Sequence, residues 1–599
     1  MGVNLFIKTR ALRSLLDATP EKLLIDYESA STFWPGRVHL THLTIRGRDT
    51  NVEWNVSLDD ADVVIGLFAL MKREFHAERV RGDGVSFRLR QRLEKAEATP
   101  TLVAALPPIP GFDDPPMRGV PSLAASVDEE KMWHVVIEDV DVNVREVWID
   151  PYRNAGHSRA QGKFSIQPLR SVSVGPAHLD VIDGEVAVGK DVVINALKGE
   201  VDCTMRAFDP RATKGAAILG TLTAGVQLDG ELVSTEFINQ YTGGDPHFSH
   251  GKGPLHSSVR VRDGAIENGS TMRAQTAGVI VSSGEYGATI DSIFTVLVSP
   301  SKTGKSEALA KSEGSLSIAR KGFESSPLHA SGVVVQAHVP DLDLAHALKG
   351  TTYSFDAGKT EVPDVRMFTS YMDPKGALQL LGGKAHATAH LDLAPATSAA
   401  HGEAAIDVEA LGIRVQKTQG SITTAALRFK LTAKDFEKAL DLSGSSIDLK
   451  DVEIAQEGPH PFWWGHADFA DTQITLAGGP TFHAVVSNRC RDGRPVLALL
   501  RAEVPGWVRG LTSLEALTSS ATLRIAANDT NVSPLHAQGS GFDLEGSYHA
   551  KNGQDHGLFL IQKSFLSVGI ETQNGSTGIH PFFASAWYHD HANGVAQLH

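Results

Sequence analysis

The chain has 599 residues, of which 42% are hydrophobic and 21% charged, so it carries enough apolar material for folded cores and is not disordered as a whole. Its net charge of -14 argues against a nucleic-acid binder, which needs a clustered basic surface. Abundant glycine (56 residues) with 7% aromatics suits many short strands joined by turns and disfavours a helical bundle. The length fits about four domains of roughly 150 residues, or one extended array.

Residues 1–20 read as an amphipathic helix ending before Pro20, with Leu5, Leu12, Leu15 and Leu16 on its apolar side and Arg10 and Arg13 opposite. That pattern gives two readings, a membrane-contacting interfacial helix through those four leucines and a cap over the edge of the first strand. The segment lacks a secretory pattern, and no run of 18 apolar residues occurs to span a bilayer as a helix.

A strand-rich module is expected over 21–93. In RVHLTHLTIRGR, Val38 and Leu40 alternate with His39 and Thr41, then Leu43 and Ile45 alternate with Thr44 and Arg46. A short helical passage is expected near VVIGLFALMKREF. In GVSFRLRQR, Val85, Phe87 and Leu89 face away from Ser86, Arg88 and Arg90. Residues 94–130 break the pattern with Pro100, Pro107, Pro108, Pro110, Pro115, Pro116 and Pro121, which predicts a surface loop or linker without regular structure.

From 131 to 599 the sequence predicts an extended array of alternating strands interrupted by short helices. Val140, Val142 and Val144 alternate with Asp141, Asn143 and Arg145. Ala385, Ala387, Ala389, Leu391 and Leu393 oppose His386, Thr388, His390 and Asp392. Asp183-Gly184 and Asp263-Gly264 are expected at hairpin turns. Helices are expected in GELVSTEFINQY, VPDLDLAHALKG, VPDVRMFTSYMDPKG and VPGWVRGLTSLEALTSS, at sheet ends or edges.

Three stretches hint at chemistry, and each has a plainer reading. TVLVSPSKTGKSEAL supplies Gly304, Lys305 and Ser306 of a phosphate loop, but Ser299 stands where the first glycine belongs, so a hairpin loop is favoured. SAWYHDHANGVAQLH offers His589, His591 and His599. A His-x-His on a strand chelates one metal, but no third ligand completes the set, which favours a polar tail. PHPFWWGHADF gathers His460, Phe462, Trp463, Trp464 and His466, either a sugar- or lipid-contacting platform or, the favoured reading, aromatics capping the sheet core. Cys203 and Cys490 make no disulfide framework and no metal site of their own, and one bond between them stays open.

Three stretches, FWPGRVHLTHLTIRG, DVRMFTSYMDPKGALQLLGGKAHATAHLDL and ATLRIAANDTNVSPLHAQGSGFDLEGSYH, give the sequence a resemblance to the AsmA-like and TamB-like proteins. These are related in architecture to chorein-type bridge proteins that carry lipids between membranes. The resemblance covers most of residues 22–599, apart from the proline-rich stretch, and rests on pattern and turn placement. It implies a mostly β fold, an elongated, twisted antiparallel sheet forming a groove with short helices, apolar inside and polar outside. It implies a non-enzymatic function, with acyl chains of phospholipid or another lipid lying in the groove for intermembrane transport or envelope maintenance. No cofactor is expected. The location implied is the bacterial cell envelope, periplasmic and membrane-associated. Members of the group usually begin with a transmembrane anchor, and none is read in this sequence. The expected lipid-facing residues are Val85, Phe87, Leu89, Val140, Val142, Val144, Leu391 and Leu393. The competing reading is a structural or adhesive β-repeat protein with dry sandwich cores, and a carbohydrate-active enzyme ranks last.

Overall fold

The computed structural model describes residues 23–595, apart from 119–133, 343–349, 370–377, 494–514 and shorter breaks. Strand accounts for 75% of the structure and helix for 7%, which fixes the class as mostly β, with the strands paired almost throughout in antiparallel fashion. The chain divides into two units. One holds residues 1–284, 288–312 and 338–349; the other holds 285–287, 313–337 and 350–599. The helix expected over residues 1–20 and the passage VPDLDLAHALKG fall wholly or largely outside the described residues.

In the first unit the strands Arg37–Arg48, Val52–Ile65 and Glu74–Gln91 pair in sequence. Leu23–Asp26 and Ser29–Trp34 both pair with Arg37–Arg48. Glu74–Gln91 then pairs in parallel with His134–Ile149, and antiparallel order resumes through Tyr152–Gln167, Ser171–Val188, Asp191–Phe208, Leu222–Leu232 and His247–Arg262. A parallel neighbour requires a crossover connection rather than a hairpin. The proline-rich stretch belongs to that crossover, so it joins two neighbouring strands of one sheet.

Alternation in the sequence is kept in the structure by bulges. Leu40 and Leu43 are three residues apart, yet both pack in one cluster with Leu58, Ala61, Val63 and Ala77. His42 between them takes φ 50°, the left-handed conformation that inserts the extra residue and restores the phase. The neighbouring strands shift at the same level: Leu58 and Ala61 share the cluster, and Gly84 takes φ 69° between Gly82 and Val85. Asp183-Gly184 belongs to a similar shift. It lies inside the continuous strand Ser171–Val188, where the ladder skips between Val181 and Gly184, and forms no hairpin turn. Asp263-Gly264 does form its turn, with φ 50° and 80°.

In the second unit Thr352–Asp356 and Lys359–Val362 pair with Leu378–Ala394, which leads to Ala399–Val415, Thr418–Asp435, Ser445–Ile454, Gly458–Thr475, Thr481–Asp492 and Glu515–Ala526. Hairpins continue through Asp529–Gly539, Phe542–Lys551, Gln554–Lys563, Leu566–Gln573 and Ser576–His580. The closing helix Ala584–Val595 packs Ala584 and Tyr588 on Leu558 and Leu560.

One expected helix is shorter than its spacing suggested, and three others are described only in part. VVIGLFALMKREF keeps only Leu67–Leu70, because its first half completes the strand Val52–Ile65. GELVSTEFINQY begins with the end of Leu222–Leu232 and a 3-10 turn at Glu236–Ile238, and VPDVRMFTSYMDPKG shows a 3-10 turn at Val365–Phe368; residues 240–241 and 370–376 lie outside the described residues. The final residues of VPGWVRGLTSLEALTSS are strand, starting at Glu515. In VVIGLFALMKREF ladder pairing of the first half outweighs a weak local helical pattern.

Candidate functional site: apolar rows across the sheets

Register turns the alternating strands into rows that cross the sheets. In the first unit Leu40, Ala61, Gly82, Val142, Ala160, Leu179, Val201, Val226 and Val259 stand opposite one another on successive strands. A second row joins Val38, Val63, Val80, Val140, Gly162, Ala177, Cys203, Ala224 and Val261. Neither contains a charged residue. With strands about 4.8 Å apart, eight steps carry each row roughly 38 Å.

The second unit repeats the arrangement. Val362, Ala385, Val408, Ala425, Leu449, Gly465, Cys490 and Leu517 form one row. Ala387, Ile406, Leu427, Ile447 and Ala467 form the next. Towards the end of the chain, Phe469, Val486, Ala521, Leu535, Gly546, Phe559 and Ile570 continue the theme.

Among the residues read as lipid-facing, Val140, Val142, Val144 and Val85 sit together: Val140 pairs with Val80, Val142 with Gly82 and Val144 with Val85. Phe87 lies between Val56 and Val147, and Leu89 between Trp54 and Ile149. Leu391 lies between Phe355 and Gly402, and Leu393 between Tyr353 and Ala400. Val142 and Val144 are buried; the other six are half-buried. The intervening Lys384, His386, Thr388 and Asp392 are exposed, whereas His390 is half-buried between Asp392 and Asp356. Leu5, Leu12, Leu15 and Leu16 lie outside the described residues.

The opposite face is polar and ion-paired. His466 directs Nδ1 at Asp448 (2.7 Å) and Nε2 at Asp468 (3.0 Å), and His178 directs the same atoms at Asp202 (2.9 Å) and Asp180 (3.0 Å). Hydrogen bonding to Asp448 in the first case and Asp202 in the second raises both imidazoles above the ordinary histidine value. His39 shares this arrangement with Asp62 (3.1 Å) and Asp60 (3.4 Å). Its three metal-capable atoms lie within 4.8 Å of one another, but both ring nitrogens already face carboxylates.

The proline-rich stretch supplies the feature that sequence reasoning missed. Its described part, residues 94–118, carries regular structure and packs on the sheet. Thr99 caps a helix at Pro100–Ala105, accepting from Leu102 N with proline at the first turn, and the residues after it lie on the polar phase of Glu74–Gln91. Arg90 is 1% exposed and donates to the Glu53 carboxylate (2.9 Å), to Pro107 O (3.1 Å), to Asp113 O (2.9 Å) and to Asp114. Arg88 reaches Pro108 O (2.9 Å), Arg46 reaches Pro110 O (2.7 Å) and Arg92 reaches Met117 O (2.7 Å). A run of prolines contributes carbonyl acceptors but few amide donors, and guanidinium forks supply the missing donors. Burial pushes the Glu146 carboxyl upward, but Arg88, Arg153 and Ser86 outweigh it and hold the group below its usual value. The signal available in the sequence was arginine at every second position from Arg88 to Arg92, which reads equally well as a solvated face.

The three chemical hints resolve as follows. Ser301 N donates to Lys305 O (2.7 Å) and Thr295 Oγ1 to Lys311 O, so the TGKS stretch joins two strands, and Ser306–Arg320 is strand where a phosphate loop needs a helix. His589 and His591 lie on a helix, where two-residue spacing turns them away from a common face; the strand reading of His-x-His is corrected. His591 Nδ1 faces Trp587 O, Trp587 stacks on His580 at 3.9 Å, and His599 lies outside the described residues. Trp463 is buried and donates to Asp492 O (2.7 Å), lying over Gly465, where any Cβ would strike its ring at 2.6 Å. Phe462 and Trp464 are exposed. Cys203 and Cys490 are free; burial raises both thiols, that of Cys490 to about 11.

Fold and site together define a mostly antiparallel β protein with apolar rows on one face and paired charges on the other. Compared with known proteins, the chain matches no family model and has no significant match among curated proteins. No described helix is long and apolar enough to cross a membrane.

Proposed function

We propose that the protein binds lipid acyl chains along the apolar rows, for lipid transport between membranes or envelope maintenance. The single observation that carries this reading is the half-burial of the row residues: Leu179, Val201, Val226 and Val259 in one unit, and Ile406, Leu427 and Ile447 in the other, keep part of their apolar surface accessible. A dry sandwich core would close over such side chains. An acyl chain laid along a row withdraws its methylenes from water at roughly 0.8 kcal/mol each, with no need for polar recognition or a reactive group. The AsmA-like and TamB-like resemblance points the same way.

Organic extraction of the purified protein followed by lipid mass spectrometry tests the proposal, with Val226→Asp and Leu427→Asp as variants. Each places a carboxylate on the apolar face, at a cost of several kcal/mol to a bound chain. The expected result is co-purifying acyl lipid in the parent and at least tenfold less in folded variants. Parent protein free of lipid that also takes none from micelles defeats the reading, and so does equal loading of folded variants. Unfolding of both variants supports the dry-core alternative.

A further inference from the structure

Two segments of the first unit place large apolar side chains in water side by side. The end of strand Ser29–Trp34 carries Phe33 and Trp34, followed by Pro35 in the turn to Arg37–Arg48, and the short helix Leu67–Leu70 after Val52–Ile65 carries Leu67 and Phe68, with Met71 at its end. They are neighbours: Ile65 N donates to Gly36 O at 2.6 Å, and a Cβ on Gly36 would lie 3.8 Å from Leu67 Cγ. Phe33 is 94% exposed and Phe68 87%, with Trp34 and Met71 also largely in solvent.

The charge around this tip runs against that of the chain. The segments FWPGR and GLFALMK contain no acidic residue and two bases, Arg37 and Lys72, both exposed, in a protein of net charge -14. The flanking acids are engaged elsewhere, Asp62 by His39 (3.1 Å) and Glu74 by His76 (3.3 Å). Exposed tryptophan and phenylalanine at a hairpin end, flanked by basic residues, match the interface of an anionic bilayer: rings sit at headgroup depth while the cations meet phosphates. The tip also adjoins the apolar face, because Val38 and Ile65 belong to the cluster that contains the row residues Leu40, Ala61 and Val63.

We infer that the tip formed by Phe33, Trp34, Leu67, Phe68 and Met71, with Arg37 and Lys72, inserts into the interface of an anionic lipid bilayer. The inference goes beyond acyl-chain binding and stands without it, since interfacial insertion needs only the tip. A contrast lies in the second unit, where Phe582 and Phe583 are as exposed but the sequence from 579 to 587 contains no lysine or arginine.

The test is flotation of the full chain with phosphatidylcholine vesicles containing 30% phosphatidylglycerol, measured at low and high salt. The parent is expected to float and to release as salt rises. A Trp34→Ala/Phe68→Ala variant is expected to partition at least tenfold more weakly with an unchanged melting temperature. Each of Arg37→Gln and Lys72→Gln is expected to cost about fivefold, the weight of one cation near an anionic surface. A Phe582→Ala/Phe583→Ala variant should float like the parent. The inference is overturned by a parent that stays in solution, by a tip variant that floats equally well, or by the same loss in the C-terminal variant, which would mark indiscriminate apolar adhesion. A tip variant that changes the sedimentation of the free protein but not its flotation would assign the tip to a second copy of the chain and also overturn it. Loading from detergent-dispersed lipid separates this outcome from the fate of the rows, because tip variants keep that loading whatever happens at the vesicle.

Discussion

His466 faces acids on two sides and a base on a third. Asp468 lies on its own strand, Asp448 stands opposite on Ser445–Ile454, and Arg489 stands opposite on Thr481–Asp492. The hydrogen bond to Asp448 is the main cause of its raised value, with burial opposing it. A group whose folded value is raised contributes stability that is complete below the unfolded value, near pH 6.5 for histidine, and is lost as pH rises through the folded value. The urea midpoint of the parent should therefore exceed that of His466→Gln at about pH 6, and the gap should narrow by about pH 8. A gap that does not change with pH would show that His466 acts through packing alone. The same sign applies to His178, where Asp202 is the leading partner. His466 was legible in the sequence only among the aromatics of PHPFWWGHADF, and His178 was not singled out there. Their partners were not legible, because a cross-strand neighbour depends on register, and in the case of Asp448 the shift between Lys450 and Val452 lies close by.

At the scale of elements, strand and phase were readable while interruptions and covers were not. The spacing from Leu40 to Leu43 carried the bulge in plain view, but only the left-handed His42 shows how the chain absorbs it. The proline-rich stretch was legible as an end to regular pairing. That it returns to the sheet was hidden, because its carbonyls meet arginines 17 to 64 residues away. Arg90→Ala tests what that cover is worth. The substitution leaves Glu53, 3% exposed, without its 2.9 Å partner, and Arg92 at 3.8 Å is a poor replacement. Breaking a buried pair by removing one member costs about 3 to 5 kcal/mol. Urea unfolding should show a loss of that order, and limited proteolysis should cut first within residues 107–117. Arg90→Lys keeps the charge but cannot serve Glu53 and two carbonyls from one planar fork, so it should recover only part of the loss. Retention of full stability in Arg90→Ala would mean the stretch holds its place through Leu106, Ile109 and the bonds from Arg46, Arg88 and Arg92.

Across the whole molecule the open question is whether the apolar faces are wet, dry or filled. Four clusters of buried apolar residues occur among the described residues, and many row positions between them are only half-buried. The closing helix covers Leu558 and Leu560, whose phase is opposite to that of Phe559 and Ile561, so it leaves the row side of those strands uncovered. Periodicity in the sequence identified which residues share a face, but a row exists only once register places Val142, Ala160, Leu179 and Val201 in line. Exposed apolar surface of this kind binds apolar dye in a native protein, whereas a dry sandwich core binds none until it unfolds. Lipid-stripped protein should therefore enhance the fluorescence of an anilinonaphthalene dye at a temperature well below its melting transition. Adding a single-chain acyl lipid should displace the dye and raise the melting temperature, because a ligand present at about 100 times its dissociation constant stabilises the folded state by about 2.7 kcal/mol. Val226→Asp and Leu427→Asp should weaken both effects. Native protein that binds no dye, with a melting temperature indifferent to lipid, would mean the rows are closed in solution and would leave the β-repeat scaffold as the better account.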